Sequence, residues 1–165
     1  MMRLIAAILP LTMLTVPASS IAAEREGVPI NSMWDFMGTL TYSSCLLKEY
    51  GFVPATAPER EKLLSHAVKA CEGAVSRSFK DAKMNGSDFP PFLIQLAEQI
   101  APQVRAYMFP ILRDLPPSQT ETRKRVRLMI VGKDGKGYEI PSEKNSKIPE
   151  NAIFYVEIVS EAAAQ

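Results

Sequence analysis

The first 23 residues decide where this chain folds, and through that how its cysteines behave. Arg3 supplies one positive charge, Leu4 to Val16 form an uncharged apolar run, and Pro17 with Ala18, Ser19 and Ser20 ends it. That is the order of a removable export signal. Small residues suit a signal-peptidase pocket and place cleavage after Ala22 or Ala23. A bilayer core needs about 20 apolar residues as a helix. This run is shorter and holds Pro10, and no later stretch can span, so no membrane span is expected after signal removal. No cysteine lies near the cleavage site, which argues against a lipid anchor. The mature chain, residues 24–165, is expected to be one domain working in a periplasm or beyond a cell surface.

An oxidising compartment gives Cys45 and Cys71, the only two cysteines, a definite meaning. An even pair outside the cytoplasm reads as one disulfide. On the chain-entropy model a bridge closing such a loop stabilises by about 3 kcal/mol. A redox pair would favour Cys-x-x-Cys, and zinc wants four ligands. The cysteines are far apart in sequence and His66 is the only histidine. No metal and no cofactor is expected.

Of the charged residues only Arg3 falls in the leader, leaving 18 basic and 18 acidic side chains in the mature chain. Nucleic-acid binding normally demands a basic field, so no nucleic-acid partner is expected.

Periodicity outlines the architecture. Residues 24–31 read as a polar lead. Ser32 with Asp35 marks a helix start, and Trp34, Phe36, Met37, Leu40, Cys45 and Leu47 share a broad face. Gly51 suits its C-terminal cap. Thr56 with Glu59, and Pro58 in the first turn, start a second helix. Its stripe runs from Leu64 through Ala67, Cys71, Ala74, Val75 and Phe79 to Asn85-Gly86. Both cysteines lie on apolar faces, which supports bridging the two helices. A flush hairpin would still leave them about 12 Å apart along the axis, so the connector must offset the helices. A third helical segment follows Asp88, a candidate cap, and runs to Pro116-Pro117, interrupted at Pro102 and Pro110. Residues 118–122 look like a polar linker. Arg123 to Val131 alternates basic and apolar residues as a half-exposed strand does. Gly132 to Gly137 forms a turn, Tyr138 to Ile140 returns as a hairpin partner, and Ala152 to Val159 is a further strand. The expected fold is α+β. A helical part (24–117, three to four helices, the first two disulfide-linked) precedes a β part (123–160, an antiparallel sheet of two to three strands).

The catalytic inventory is thin. Ser-His and Cys-His nucleophile systems need an imidazole, and His66 lies off the apolar face of its helix. No serine sits in a Gly-x-Ser-x-Gly elbow. Glu49, Glu59, Glu61, Glu72 and Glu98 are spaced as solvated helix faces rather than as a paired-carboxylate site. The glycines of 132–137 lack the Lys-Ser/Thr and the following helix of a phosphate loop. No catalytic residue is therefore expected. The one local charge cluster, Arg123, Lys124, Arg125 and Arg127, reads either as the guarded wet face of a sheet or as a docking patch for an acidic partner. The leading expectation is a small, exported, non-enzymatic protein that binds a protein or cell-envelope component, with an inhibitor or immunity-type module as one form. The alternatives are a small hydrolase using paired carboxylates and a carrier of apolar small molecules in a cleft beside Phe92, Leu93, Tyr107, Met108 and Phe109.

Overall fold

A computed structural model describes residues 27–82, 86–133, 135–140 and 151–159. The expected export signal and its cleavage sites lie outside the described residues, as does most of the expected 141–151 loop.

The longest helix, α1 (Met33–Tyr50), is the hub. Ser32 caps it by accepting the Asp35 N–H at 3.1 Å, and the Asp35 carboxylate accepts the Asn31 N–H at 3.1 Å. Gly51 ends it with a positive φ of 62°, a conformation a side chain would resist. Around α1 pack α2 (Ala57–Ala70), α3 (Ala74–Asp81), α4 (Pro91–Glu98) and α5 (Ala101–Asp114). Being wrapped on several sides, α1 buries more than the expected face: Gly38, Thr39, Tyr42, Ser43, Leu46 and Tyr50 go inside along with Leu47. Ser43 satisfies its hydroxyl on the Thr39 carbonyl at 2.6 Å, one turn back. Where α1 meets α4, a Cβ on Gly38 would lie 1.9 Å from the Ala97 carbonyl oxygen, so only glycine permits the approach.

Cys45 and Cys71 are bridged, with Cα atoms 5.8 Å apart, inside the range a disulfide tolerates. The second helix begins at Ala57, where the sequence places it. The reach therefore comes from the connector, which is extended through β2 (Phe52–Val53) before α2 starts.

Several sequence expectations need correction. The second helix does not run unbroken: Gly73, at φ 64°, interrupts it between α2 and α3. The buried residues Leu64, Ala67, Cys71, Ala74, Val75 and Phe79 keep one phase across the break, which hid it. The 24–31 lead is not unstructured, because Val28–Ile30 forms a strand, β1, with Val28 and Ile30 buried. Residues 118–122 are not a linker: β3 (Ser118–Glu121) pairs antiparallel with β2. The strand expected from Arg123 starts only at Val126, because Thr122–Arg125 forms a helical turn, α6. The third segment splits at Gln99–Ile100, with Pro102 in the first turn of α5, where proline is tolerated. Pro110 stays inside α5 on its exposed side. The N-cap of α4 is Pro90 rather than Asp88.

Among the described residues the main sheet has four strands, where two to three are expected from the sequence, in the order β1–β6–β4–β5. β4 (Val126–Val131) lies between β5 (Gly137–Ile140) and β6 (Ala152–Ile158), antiparallel to both. Gly132–Lys136 closes the β4–β5 hairpin, with the Gly132 N–H donating to the Lys136 carbonyl at 3.2 Å. Val126, Leu128, Ile130, Ala152 and Phe154 pack with α1, α2 and α5 residues in one core. A smaller cluster gathers Trp34, Phe79 and Phe89 between α1, α3 and α4, with Phe79 and Phe89 edge to face at 4.8 Å.

Candidate functional site

Two surfaces could carry recognition: a ribbon at the end of α1 and a pocket beside the disulfide.

The ribbon starts where Gly51 turns the chain out of α1. Its carbonyl accepts the Thr122 N–H at 2.7 Å and also the Thr122 hydroxyl. Thr122 is fully buried, so these bonds tie β2 to the start of α6. In a strand, neighbouring side chains face opposite ways. Val53 goes into the core and Phe52 is thrown outward, 56% exposed. Grooves flank it on both sides. One, of about 760 Å³, runs along Glu49, Tyr50, Val53, Pro54, Leu63 and Gln119. The other, of about 220 Å³, is lined by Leu47, Lys48, Glu121, Thr122 and Arg123.

The four basic residues singled out in the sequence do not share one surface. Arg123 lines the smaller groove beside Phe52 and pairs with Glu121 at 2.7 Å. Lys124 follows it, exposed. Arg125 is only 5% exposed and donates to the Pro116 carbonyl at 2.9 Å, because the α6 turn rotates it inward. Arg127 lies on the outer face of the sheet, 3.9 Å from both Glu139 and Glu157. Phe52 is the residue the sequence reading passed over. A lone aromatic next to a glycine cap carries no periodic signal, and only the pairing of β2 with β3 turns it outward.

Other arginines hold the frame together. Arg60 donates to the Pro54, Arg113 and Leu115 carbonyls at 2.8, 2.7 and 2.8 Å, joining the connector to the end of α5. Arg77 donates to the Ala70 and Glu72 carbonyls at 2.8 and 2.5 Å and so caps the end of α2. Arg113 pairs with Glu61 at 2.6 Å, which holds the guanidinium pKa above its usual value.

The pocket, of about 390 Å³, opens between α1, the α2–α3 turn, α4 and α5. Its apolar lining comes from Val68, Cys71, Ala74, Val75, Ala101 and Pro102. Four polar side chains join them: Tyr42, Glu72, Glu98 and Arg105. Ser76 donates its hydroxyl to Glu98. Burial raises the Tyr42 phenol pKa, partly opposed by a hydrogen bond from Arg105, so Tyr42 stays protonated and neutral. Glu49, Glu59 and Glu61 are elsewhere: Glu49 lines the large groove, Glu59 accepts the Thr56 hydroxyl, and Glu61 pairs with Arg113.

His66 is exposed on α2. Among the described residues no three or more His, Cys, Asp or Glu side chains gather as a metal site, and no helix is long and apolar enough to cross a membrane. In the third segment Met108 is core, while Tyr107 stacks edge to face on Phe154 at 6.1 Å and its hydroxyl accepts the Val156 N–H at 3.1 Å. No family model, curated protein or solved structure matches this chain.

Proposed function

We propose that this is an exported, non-enzymatic binding module that docks an acidic protein partner through the β2–β3 ribbon, with Phe52 as its anchor. The observation carrying this reading is Phe52 itself: an aromatic ring 56% exposed on a backbone held fixed by the Thr122–Gly51 bonds. Binding energy in protein interfaces concentrates in such rigidly presented aromatics. Charge supplies the chemistry of the partner. Lys48 and Arg123 outnumber Glu121 in the lining of the smaller groove, and the exposed Lys124 follows Arg123 in the chain, so a partner with an apolar socket rimmed by carboxylates is complementary. An inhibitor or immunity-type protein fits this description. Export rests on the Met1–Ala23 leader, and the Cys45–Cys71 bridge is compatible with it. Of the alternatives, the carboxylate hydrolase finds two acids in the disulfide pocket, where Ser76 engages Glu98 and Glu72 stands on an exposed turn.

The test places a photo-crosslinking amino acid at position 52, and at the equally exposed Phe92 as control, in the exported protein in cells. A single acidic protein should be captured from position 52 and not from 92. Capture by a tagged protein should fall more than tenfold in Phe52→Ala, and should weaken both with added salt and in Lys48→Glu/Lys124→Glu. Equal crosslinking from both positions, or capture that survives Phe52→Ala, rules the ribbon out.

A further inference from the structure

A second site lies in the pocket beside the disulfide, away from the ribbon. Its volume of about 390 Å³ falls in the range of small-ligand sites. An apolar lining with a few convergent polar groups is the usual make-up of such sites, and here the polar groups carry both signs. Glu72 and Glu98 bring two carboxylates and Arg105 one guanidinium. The nearby Arg77 is committed to the carbonyls that end α2 and does not line the cavity. The neutral Tyr42 hydroxyl sits next to Arg105, adding a group able to donate or accept.

Each helix around the pocket supplies part of this set. Tyr42 comes from α1, Glu72 from the α2–α3 turn, Glu98 from α4 and Arg105 from α5. The Cys45–Cys71 bridge ties the turn to α1, and Ser76 ties α3 to Glu98. The backbones that carry the polar groups, and the Glu98 carboxylate, are thus held before any ligand arrives, which lowers the ordering cost of binding.

We infer that this pocket binds a small zwitterion carrying a free ammonium and a free carboxylate, as an amino acid or a short peptide does. The ammonium meets Glu98 and Glu72, the carboxylate meets Arg105, and the apolar lining takes a short side chain. A purely anionic ligand would face two carboxylates, and a purely apolar one would offer the charged groups no partner.

Thermal unfolding and calorimetric titration of the mature, disulfide-bonded protein test this with four probes: L-alanine, alanyl-alanine, N-acetyl-alanyl-alanine and alanyl-alanine amide. At ten times Kd the melting temperature should rise by about 4 °C with L-alanine or alanyl-alanine. Which of these two binds tells whether the source is an amino acid or a peptide. Both blocked peptides should bind at least tenfold more weakly. Glu98→Gln keeps an acceptor for Ser76 and should fold normally while losing at least tenfold in affinity; Arg105→Gln should do the same. No shift with any probe at 50 mM, equal binding of blocked and free peptides, or unchanged affinity in both variants overturns the inference. Phe52→Ala should leave zwitterion binding intact, and Glu98→Gln should leave partner capture intact, so failure at one site is separable from failure at the other.

Discussion

The helical layer and the four-stranded sheet share one core but reach it by opposite routes. The helices follow one another in sequence around α1, and a covalent bridge links the first to the end of the second. The sheet joins the start of the described chain to its end: Val28 pairs with Phe154 and Ile30 with Ala152 across β1 and β6. Nothing covalent secures that closure, only the ladder and the burial of Val28, Ile30 and Phe154. Pairing residues so far apart carries a loop-closure cost before any contact rewards it. The disulfide therefore reinforces the local half of the molecule, and the distant half relies on packing.

That contrast can be broken or sharpened by measurement. The largest effect should come from the sheet. Phe154→Ala removes a fully buried ring against Tyr107 and should cost about 4 kcal/mol in urea unfolding. A loss under 1 kcal/mol would mean that the sheet hardly matters to the core. Next comes the helical staple. Cys45→Ala/Cys71→Ala should lose about 3 kcal/mol yet keep its far-ultraviolet dichroism. The wild-type protein should run faster on a non-reducing gel than on a reducing one. Tyr50→Phe removes a buried hydroxyl that donates to the Leu112 carbonyl at 3.1 Å and should cost about 1 kcal/mol. Arg127→Ala, on the exposed sheet face between Glu139 and Glu157, should change stability by less than about 0.5 kcal/mol.

A pH series separates the halves in another way. Burial raises the phenol pKa of Tyr50, and of Tyr42, both on α1. Above about pH 10 unfolded tyrosines release protons that these two retain. The folded state then holds more protons than the unfolded one, so stability falls as pH rises. It is fully present below that pH and is lost as pH climbs toward the raised folded values. Urea unfolding at pH 8 and pH 10.5 should show the drop, and Tyr50→Phe should lessen it. An unchanged slope in that variant would remove Tyr50 from the account.

Much of the helical layer is legible in the residues because its signals are local. Ser32–Asp35 and Gly51 bound α1, and the cysteine pair, read together with the expected export leader, anticipates the bridge. The β4–β5 hairpin and β6 follow from alternation and a glycine turn. β1 and β3 escape because three or four residues give no period, and each exists only through a partner elsewhere in the chain. The basic stripe shows the same limit. Alternation places Arg123, Arg125 and Arg127 on one face, but a single helical turn sends Arg125 inside. The pocket acids were spaced as solvated side chains, and nothing local marks Glu72, Glu98 and Arg105 as neighbours.

The sequence by itself determined the bridge between the first two helices and the α+β composition, and raised the expectation of export, because caps, stripes and paired cysteines act over a few residues or through compartment chemistry. Tertiary structure alone decided that Phe52 faces outward, that Arg125 is buried, that Val28–Ile30 adds an edge strand beside β6 and that one pocket gathers charges of both signs. Those outcomes depend on which distant segments meet, and burial and electrostatics are properties of the meeting rather than of either segment.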